Sequence, residues 1–262
     1  MEVKFGSVAK DYARWRNDFP VEVFKQLESF GVRWEGRKIA DLGCGTGVLS
    51  RELVKRGAQV TGVDPSPELL AEARKGEEGS RICYICATAE NSTLPSAQYE
   101  MVTVLRAWHW FNRPQAIKEV KRILKEGGLF IVMDSRFDLS KQNPLLRDTF
   151  VMAKSFLPKD AVDKPGSRKE EKKRLLGFPL SWFSEWEKAG LRLTAGWEWE
   201  YSIAFSHEYW LGRIRTLSWY TLLSEAQKRE ISDRLQELLA IRYPDEPISV
   251  PHVCSVAVLK YL

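Results

Sequence analysis

Apolar and polar positions along the chain follow two alternating rhythms. Short, almost wholly apolar runs read as strands buried on both faces: Lys38 to Leu42, Gln59 to Val63, Arg81 to Ala87, Tyr99 to Leu105 (YEMVTVL) and Leu129 to Met133 (LFIVM). Between them the apolar positions recur at helical spacing. Thr46 to Arg56 turns Val48, Leu49, Leu53 and Val54 inward and closes on Gly57, a residue suited to the turn past a helix C-terminus. Ser66 and Pro67 stand as N-cap and first helical residue of the next helix. Asn112 and Gln115 have capping-box spacing ahead of a helix through Ile117, Val120, Ile123 and Leu124, expected to end at Gly127-Gly128. Upstream, Val21, Phe24, Leu27 and Phe30 recur at three-residue spacing after Pro20, so residues 1–35 are expected to be helical. Strands alternating with helices predict a parallel sheet with right-handed crossovers.

After Asp134 the rhythm changes. Residues 137–190 read as helices and loops without a strand, a sixth strand is expected within Arg192 to Phe205, and Ser224 with Gln227 forms a capping box opening a helix to Arg242. Val253 to Leu259 (VCSVAVL) reads as a final strand. The fold class expected is α/β and doubly wound. Its parts are an N-terminal helical segment over 1–35, a core over 36–136, a helical insertion over 137–190 and a closing segment over 191–262.

Composition narrows this picture little. The 262 residues, 44% hydrophobic and 29% charged with a net charge of +5, suit a globular chain of one large domain, or one domain with a sizeable insertion. The run from Ser167 to Arg174 interleaves acids with bases and is read as a solvated helix face in preference to a nucleic-acid groove. No apolar run reaches bilayer length and no signal-peptide pattern stands over Met1 to Gly31, so no membrane insertion and a cytoplasmic location are expected. Cys83 and Cys86 have C-x-x-C spacing, but on a strand they point to opposite faces. No second pair completes a metal site, so no metal is expected and the thiols are read as buried and structural.

Chemistry concentrates in IADLGCGTG, Ile39 to Gly47, and in the following strand, which ends in Asp64. Glycines at the carboxyl end of a strand let backbone amides approach a ligand, and the helix that follows favours negative charge there. A dinucleotide fingerprint starting at Gly43 needs Gly or Ala where Val48 stands, and Asp41 is ill placed beside a pyrophosphate. An amino-acid ligand suits this loop better. Its ammonium pairs with Asp41, directly or through water, its carboxylate meets loop amides, and Asp64 accepts hydrogen bonds from ribose hydroxyls. A nucleoside joined to an amino acid satisfies both acids, and S-adenosyl-L-methionine is such a molecule.

Those residues resemble class I S-adenosylmethionine-dependent methyltransferases with a type 11 methyltransferase domain. Asp41-Leu-Gly43-Cys44-Gly45-Thr-Gly47 is similar to their first motif, Gly62-Val-Asp64-Pro65-Ser66 to their ribose-binding strand end, and Ala87-Thr88-Ala89-Glu90-Asn-Ser-Thr-Leu-Pro95 to the segment flanking adenine. Ala107-Trp-His-Trp-Phe111 and the opening FGSVAKDYARWRNDFP resemble the subgroup around trans-aconitate methyltransferase, whose N-terminal helix folds over the donor. The resemblance implies a seven-stranded Rossmann-like sheet with its last strand antiparallel and a helical cap after strand five. It also implies donor contacts from Tyr12 and Arg16, which otherwise read as ordinary helix packing. Three positions depart from the family pattern. Thr88 stands where an acid is common, Arg106 where a small polar residue is common, and Asn17 where proline is common. Arg106 either serves a carboxylate of donor or acceptor or faces solvent.

The acceptor expected is a small molecule, with a carboxylate among the candidates; no nucleic-acid partner is expected, and oligomeric state is not legible. A carboxylate acceptor needs no general base. For a phenol, amine or hydroxyl, His109 is the base candidate, against the alternative that it packs the WHWF turn. Trp182, Trp186, Trp197, Trp199, Trp210 and Trp219, with Tyr201, Tyr209 and Tyr220, are expected to form a cap, most of them as its own core. Two competing functions are a non-catalytic or regulatory S-adenosylmethionine-binding protein and an NAD(P)-dependent oxidoreductase.

Overall fold

The structure is a computed structural model that describes residues 5–16, 19–75, 82–157 and 172–262. Asn17 and most of the Ser167–Arg174 charge run lie outside the described residues. The chain divides into two compact units, one of Met1–Asp18, Arg136–Lys164 and Glu200–Val253, the other of Phe19–Ser135, Pro165–Trp199 and Cys254–Leu262.

The expected βα units are present. Strands β1 (Lys38–Leu42), β2 (Gln59–Asp64), β3 (Ile82–Cys86), β4 (Tyr99–Leu105) and β5 (Leu124–Phe137) are joined by helices α3 (Val48–Val54), α4 (Pro67–Ala73) and α5 (Arg113–Ile123). Helices α1 (Ala9–Trp15) and α2 (Glu22–Ser29) precede them. With β8 (Leu191–Phe205) and β9 (Ile248–Tyr261) the strands form one seven-stranded sheet, ordered β3-β2-β1-β4-β5-β9-β8. The first five pair in parallel. Thr194 Oγ1 donates to the Val258 carbonyl and the Leu262 amide to that of Gly190, so β9 runs antiparallel to β8. The sheet is mostly parallel with one strand reversed, a Rossmann-like arrangement. Its central strands are apolar on both faces because helices cover both.

In the second unit, Leu42, Val104 and Phe130 from the strands meet Ile117 and Val120 from α5 and Trp182 and Trp186 from α7 (Leu180–Lys188) in one core. The first unit has its own core. There α6 (Pro144–Phe156), α8 (His207–Arg215) and α9 (Glu225–Arg242) pack Leu146, Trp210, Ile214, Leu235 and Leu239 together. Ser224 accepts from the Gln227 amide and Gln227 reaches back to the Ser224 amide, the expected capping box.

Several expectations are corrected. The buried face of α2 is Val23, Phe24 and Leu27; Val21 and Phe30 fall at its ends and are exposed. Asn112 precedes α5, but its side chain makes no cap bond; its backbone N–H donates to Glu90 Oε1 at 2.7 Å. Helix α5 stops at Ile123 rather than at the glycines, because the Ala97 and Gln98 amides take the Arg122 and Ile123 carbonyls. Gly127 belongs to the irregular start of β5, opposite Tyr99–Met101. Residues 137–190 do contain strands, the two-residue β6 (Arg174–Leu175) and β7 (Phe178–Pro179). Their turn places Leu176 and Gly177 at positive φ, 48° and 76°. A leucine at the first such position is not the Asn or Gly that advertises a hairpin. Cys83 and Cys86 are exposed, not buried, because β3 is the sheet's edge, whereas Cys44 and Cys254 are buried.

Candidate donor site at the strand tips

Asp41 ends β1 beneath the glycine loop. The β1–β4 register sets it beside Thr103, whose Oγ1 donates to Asp41 Oδ1 at 3.2 Å. Ser50, on the inner face of α3, donates from Oγ to Oδ2 at 2.6 Å. Asp41 is 1% exposed, and this burial outweighs the two hydroxyls, so its pKa is pushed up to about 7, with the charge of Asp64 adding in the same direction. The hydroxyls thus satisfy one lone pair on each oxygen of a nearly inaccessible acid.

Asp64 ends β2 and organises the loop from the other side. Its Oδ2 accepts from the Gly45 amide and its Oδ1 from the Ser66 amide, both at 2.9 Å. Burial raises its pKa and the two amides oppose the rise. Each carboxylate oxygen has a second lone pair, so accepting capacity is left for hydroxyls at the sheet's edge. The Val63 carbonyl takes the Gly43 and Cys44 amides, which fixes where the loop leaves β1.

The glycines are required by their surroundings. Gly43, Gly45 and Gly47 all have positive φ, 69°, 55° and 77°. A Cβ on Gly43 would lie 2.6 Å from Ala107 Cβ and 3.0 Å from Phe111 Cζ, so the turn after β4 closes against the loop. A Cβ on Gly47 would meet Tyr84 Oη at 2.2 Å, and one on Gly62 would meet Tyr84 Cδ1 at 2.8 Å and Cys44 Sγ at 2.9 Å. The Tyr84 ring therefore wedges beneath the loop, and Arg51 Nη1 donates to the Thr46 carbonyl from the middle of α3. Thr46 Oγ1 is buried in the loop with no hydrogen-bond partner among the described residues.

The loop after β3 carries the remaining predicted positions. The Ala87 amide donates to the Asp64 carbonyl, Thr88 bridges Asn91, Ala89 is buried, and Glu90 is tied to the Asn112 amide. Pro65 and Thr88 are exposed. Glu119 of α5 anchors this loop by accepting from the Ser92 amide and hydroxyl and pairing with Arg122. At the end of β4, Arg106 sits at φ 57° with its amide on the Met133 carbonyl, and it is buried, so the solvent-facing alternative fails. His109 is buried three residues on, its ring centroid 5.0 Å from that of Trp110.

The second unit thus brings together Asp41, Gly43, Cys44, Gly45, Asp64 and Pro65 at neighbouring strand tips, with Thr88, Ala89 and Glu90 in the next loop and Arg106 and His109 after β4. Tyr12 and Arg16 belong to the first unit, where the Arg16 guanidinium lies 5.3 Å from the Tyr12 ring centroid. Sequence reasoning missed Ser50, Thr103 and Tyr84. Thr103 had a signal, a polar residue at the centre of YEMVTVL; Tyr84 had none, since its role comes from a crossover pairing. Most of the tryptophans are core: Trp182 and Trp186 in the second unit, Trp210 and Trp219 in the first. Among the described residues, no group of three or more His, Cys, Asp or Glu could hold a metal, and no helix is long and apolar enough to cross a membrane.

Comparison with known proteins finds likeness in sequence and in fold. Residues 40–132 match the type 11 family described as a methyltransferase domain. An uncharacterized methyltransferase of Mycobacterium bovis is 37% identical over 137 residues, 52% of this chain and 54% of that protein. A malonyl-[acyl-carrier protein] O-methyltransferase of Enterobacter lignolyticus is 32% identical over 151 residues, 55% of this chain and 59% of that protein. The chain thus spans little more than half the length of these relatives. In fold, it resembles a protein from Anaeromyxobacter dehalogenans assigned to the type II methyltransferases, with a TM-score of 0.60, 21% identity and coverage of 92% of this chain and 95% of that one. It also resembles a protein from Bacillus halodurans C-125, with a TM-score of 0.58, 18% identity and coverage of 92% and 99%.

Proposed function

We propose that this chain, which matches a methyltransferase domain over residues 40–132, is an S-adenosylmethionine-dependent methyltransferase acting on a small-molecule acceptor. The observation that carries the reading is Asp64: a buried carboxylate that holds the glycine loop through the Gly45 amide yet keeps lone pairs for ribose hydroxyls. The loop fits the amino-acid end of the donor, since three left-handed glycines bare its backbone and the buried Thr46 hydroxyl has no partner among the described residues. Asp41, when ionised, places its charge under the loop, where an ammonium is stabilised at a distance rather than by surface contact. Thr88, Ala89 and Glu90 border the adenine, and Cys44 acts through its backbone. The residues that carry the proposal all belong to the second unit; Tyr12 and Arg16 belong to the first.

The donor supplies an activated methyl group; the protein's task is to orient the acceptor and exclude water. An oxygen acceptor, a carboxylate in particular, is supported by the relative named as a malonyl-[acyl-carrier protein] O-methyltransferase and by the buried Arg106 cation at the end of β4. Such an acceptor needs no base, and His109 then serves the packing of its turn; an acceptor with a proton to lose makes His109 the base.

Titration calorimetry with S-adenosylhomocysteine and NAD tests the reading. Micromolar binding of the former and none of the latter is expected, with Asp64→Ala weakening it by about 1–3 kcal/mol. Binding of NAD alone, or unchanged affinity in the variant, overturns it.

A further inference from the structure

The second unit has a cleft at the opposite end of the sheet from Asp41 and Asp64. It opens at the amino ends of β1, β4 and β5 and has a volume of about 510 Å³, within the range of pockets that hold small ligands. A strand of this length separates the two ends by roughly 16 Å. The lining contains four cations, Arg33, Arg37, Lys125 and Lys260, against two acids, Glu100 and Glu126.

Two of the cations have structural duties. Arg33 Nη1 donates to the Glu28 and Val32 carbonyls at the end of α2, and Lys125 pairs with Glu100, which also takes the Lys38 amide. Glu100 is thereby neutralised inside the cleft. The Arg37 guanidinium and the Lys260 ammonium have no hydrogen-bond or ion-pair partner among the described residues, so helix-end chemistry does not account for them. In the same lining, Gly31 and Gly127 present bare backbone: both have positive φ, and a Cβ on either would meet nothing within 4 Å.

A second feature adjoins the first. Phe30, on the cleft wall and 61% exposed, lies flat on Trp197, with centroids 5.0 Å apart and planes at 12°. Trp197 continues the stack to Trp199 at 6.4 Å. Ala195, another wall residue, shares a strand face with both tryptophans. An exposed aromatic ring, backed by a second ring and sharing a cleft with unpaired cations, is the combination that recognises a planar base attached to phosphate.

We propose that this cleft binds a nucleotide, a ligand with one ring and at least one phosphate. Arg37 and Lys260 take the phosphate, and Phe30, backed by Trp197, takes the ring. The volume of the cleft, about 510 Å³, is on the scale of a mononucleotide. The proposal is independent of the donor site and of the activity assigned to it.

Calorimetry with ADP and with inorganic pyrophosphate on the full chain tests it. ADP is expected to bind one to one, with the same affinity when S-adenosylhomocysteine is saturating and in the Asp64→Ala variant. Arg37→Ala combined with Lys260→Ala is expected to weaken ADP at least tenfold; both positions are exposed, so folding is preserved. Phe30→Ala is expected to weaken ADP but not pyrophosphate. Absence of ADP binding at millimolar concentration, loss of it with S-adenosylhomocysteine, or indifference to the double substitution overturns the proposal. Pyrophosphate binding as tightly as ADP overturns the ring contact.

Discussion

Asp41 shows how burial converts an ordinary acid into a titrating group. Its folded pKa, about 7 against 3.8 unperturbed, means that the native state holds a proton that the unfolded chain releases. Its contribution to stability is therefore full below 3.8 and lost as pH rises to about 7. Asp41→Asn removes that titration. Urea unfolding of both proteins at several pH values is expected to show the variant gaining on the wild type by up to about 1.4 kcal/mol per pH unit across this window and level above it. A pH-independent difference would show that Asp41 ionises normally. Tyr84 is the second residue with a measurable consequence. Gly62→Ala drives a methyl group into the Tyr84 ring and Cys44 Sγ, which is expected to cost about 1–3 kcal/mol of stability and to loosen S-adenosylhomocysteine binding. Adding Tyr84→Ala is expected to recover part of the binding loss; no recovery means that the wedge does not set the loop.

At the scale of elements, legibility followed the source of each signal. Strands β1, β2 and β4, helix α4 with its Ser66 cap, and α9 with its capping box were readable because local residues decide them. Ser224→Ala should accordingly cost α9 about 1 kcal/mol, seen as a lower urea midpoint with unchanged slope. What was not readable depends on distant partners. The end of α5 is set by amides of the segment before β4, and the β6–β7 turn puts a leucine where glycine is usual. The exposure of Cys83 and Cys86 follows from the position of β3 in the sheet, which no local pattern states. The candidate site divides in the same way: acids and glycines stood out in the sequence, and Thr103 left a trace as a polar residue within an apolar strand, while the roles of Ser50 and Tyr84 show only once α3 packs on β1 and β3 pairs with β2.

At the scale of the molecule, the chain builds two cores, each with its own tryptophans. The sheet of the second unit presents different chemistry at its two ends: buried acids at the strand tips, cations and the exposed Phe30 ring at the strand origins. The parallel strands β1 to β5 permit this because they share one direction, so their tips face one way and their origins the other, while β9, running against β8, brings Lys260 near its own C-terminus to the end where those origins lie.

The contact between Gly43 and Ala107 carries a constraint on how this chain can vary. The methyl of residue 107 occupies the space that a side chain at residue 43 would need. A side chain at 43 must displace that methyl or the bend that carries it, so what residue 43 can be depends on a position 64 residues away in the chain.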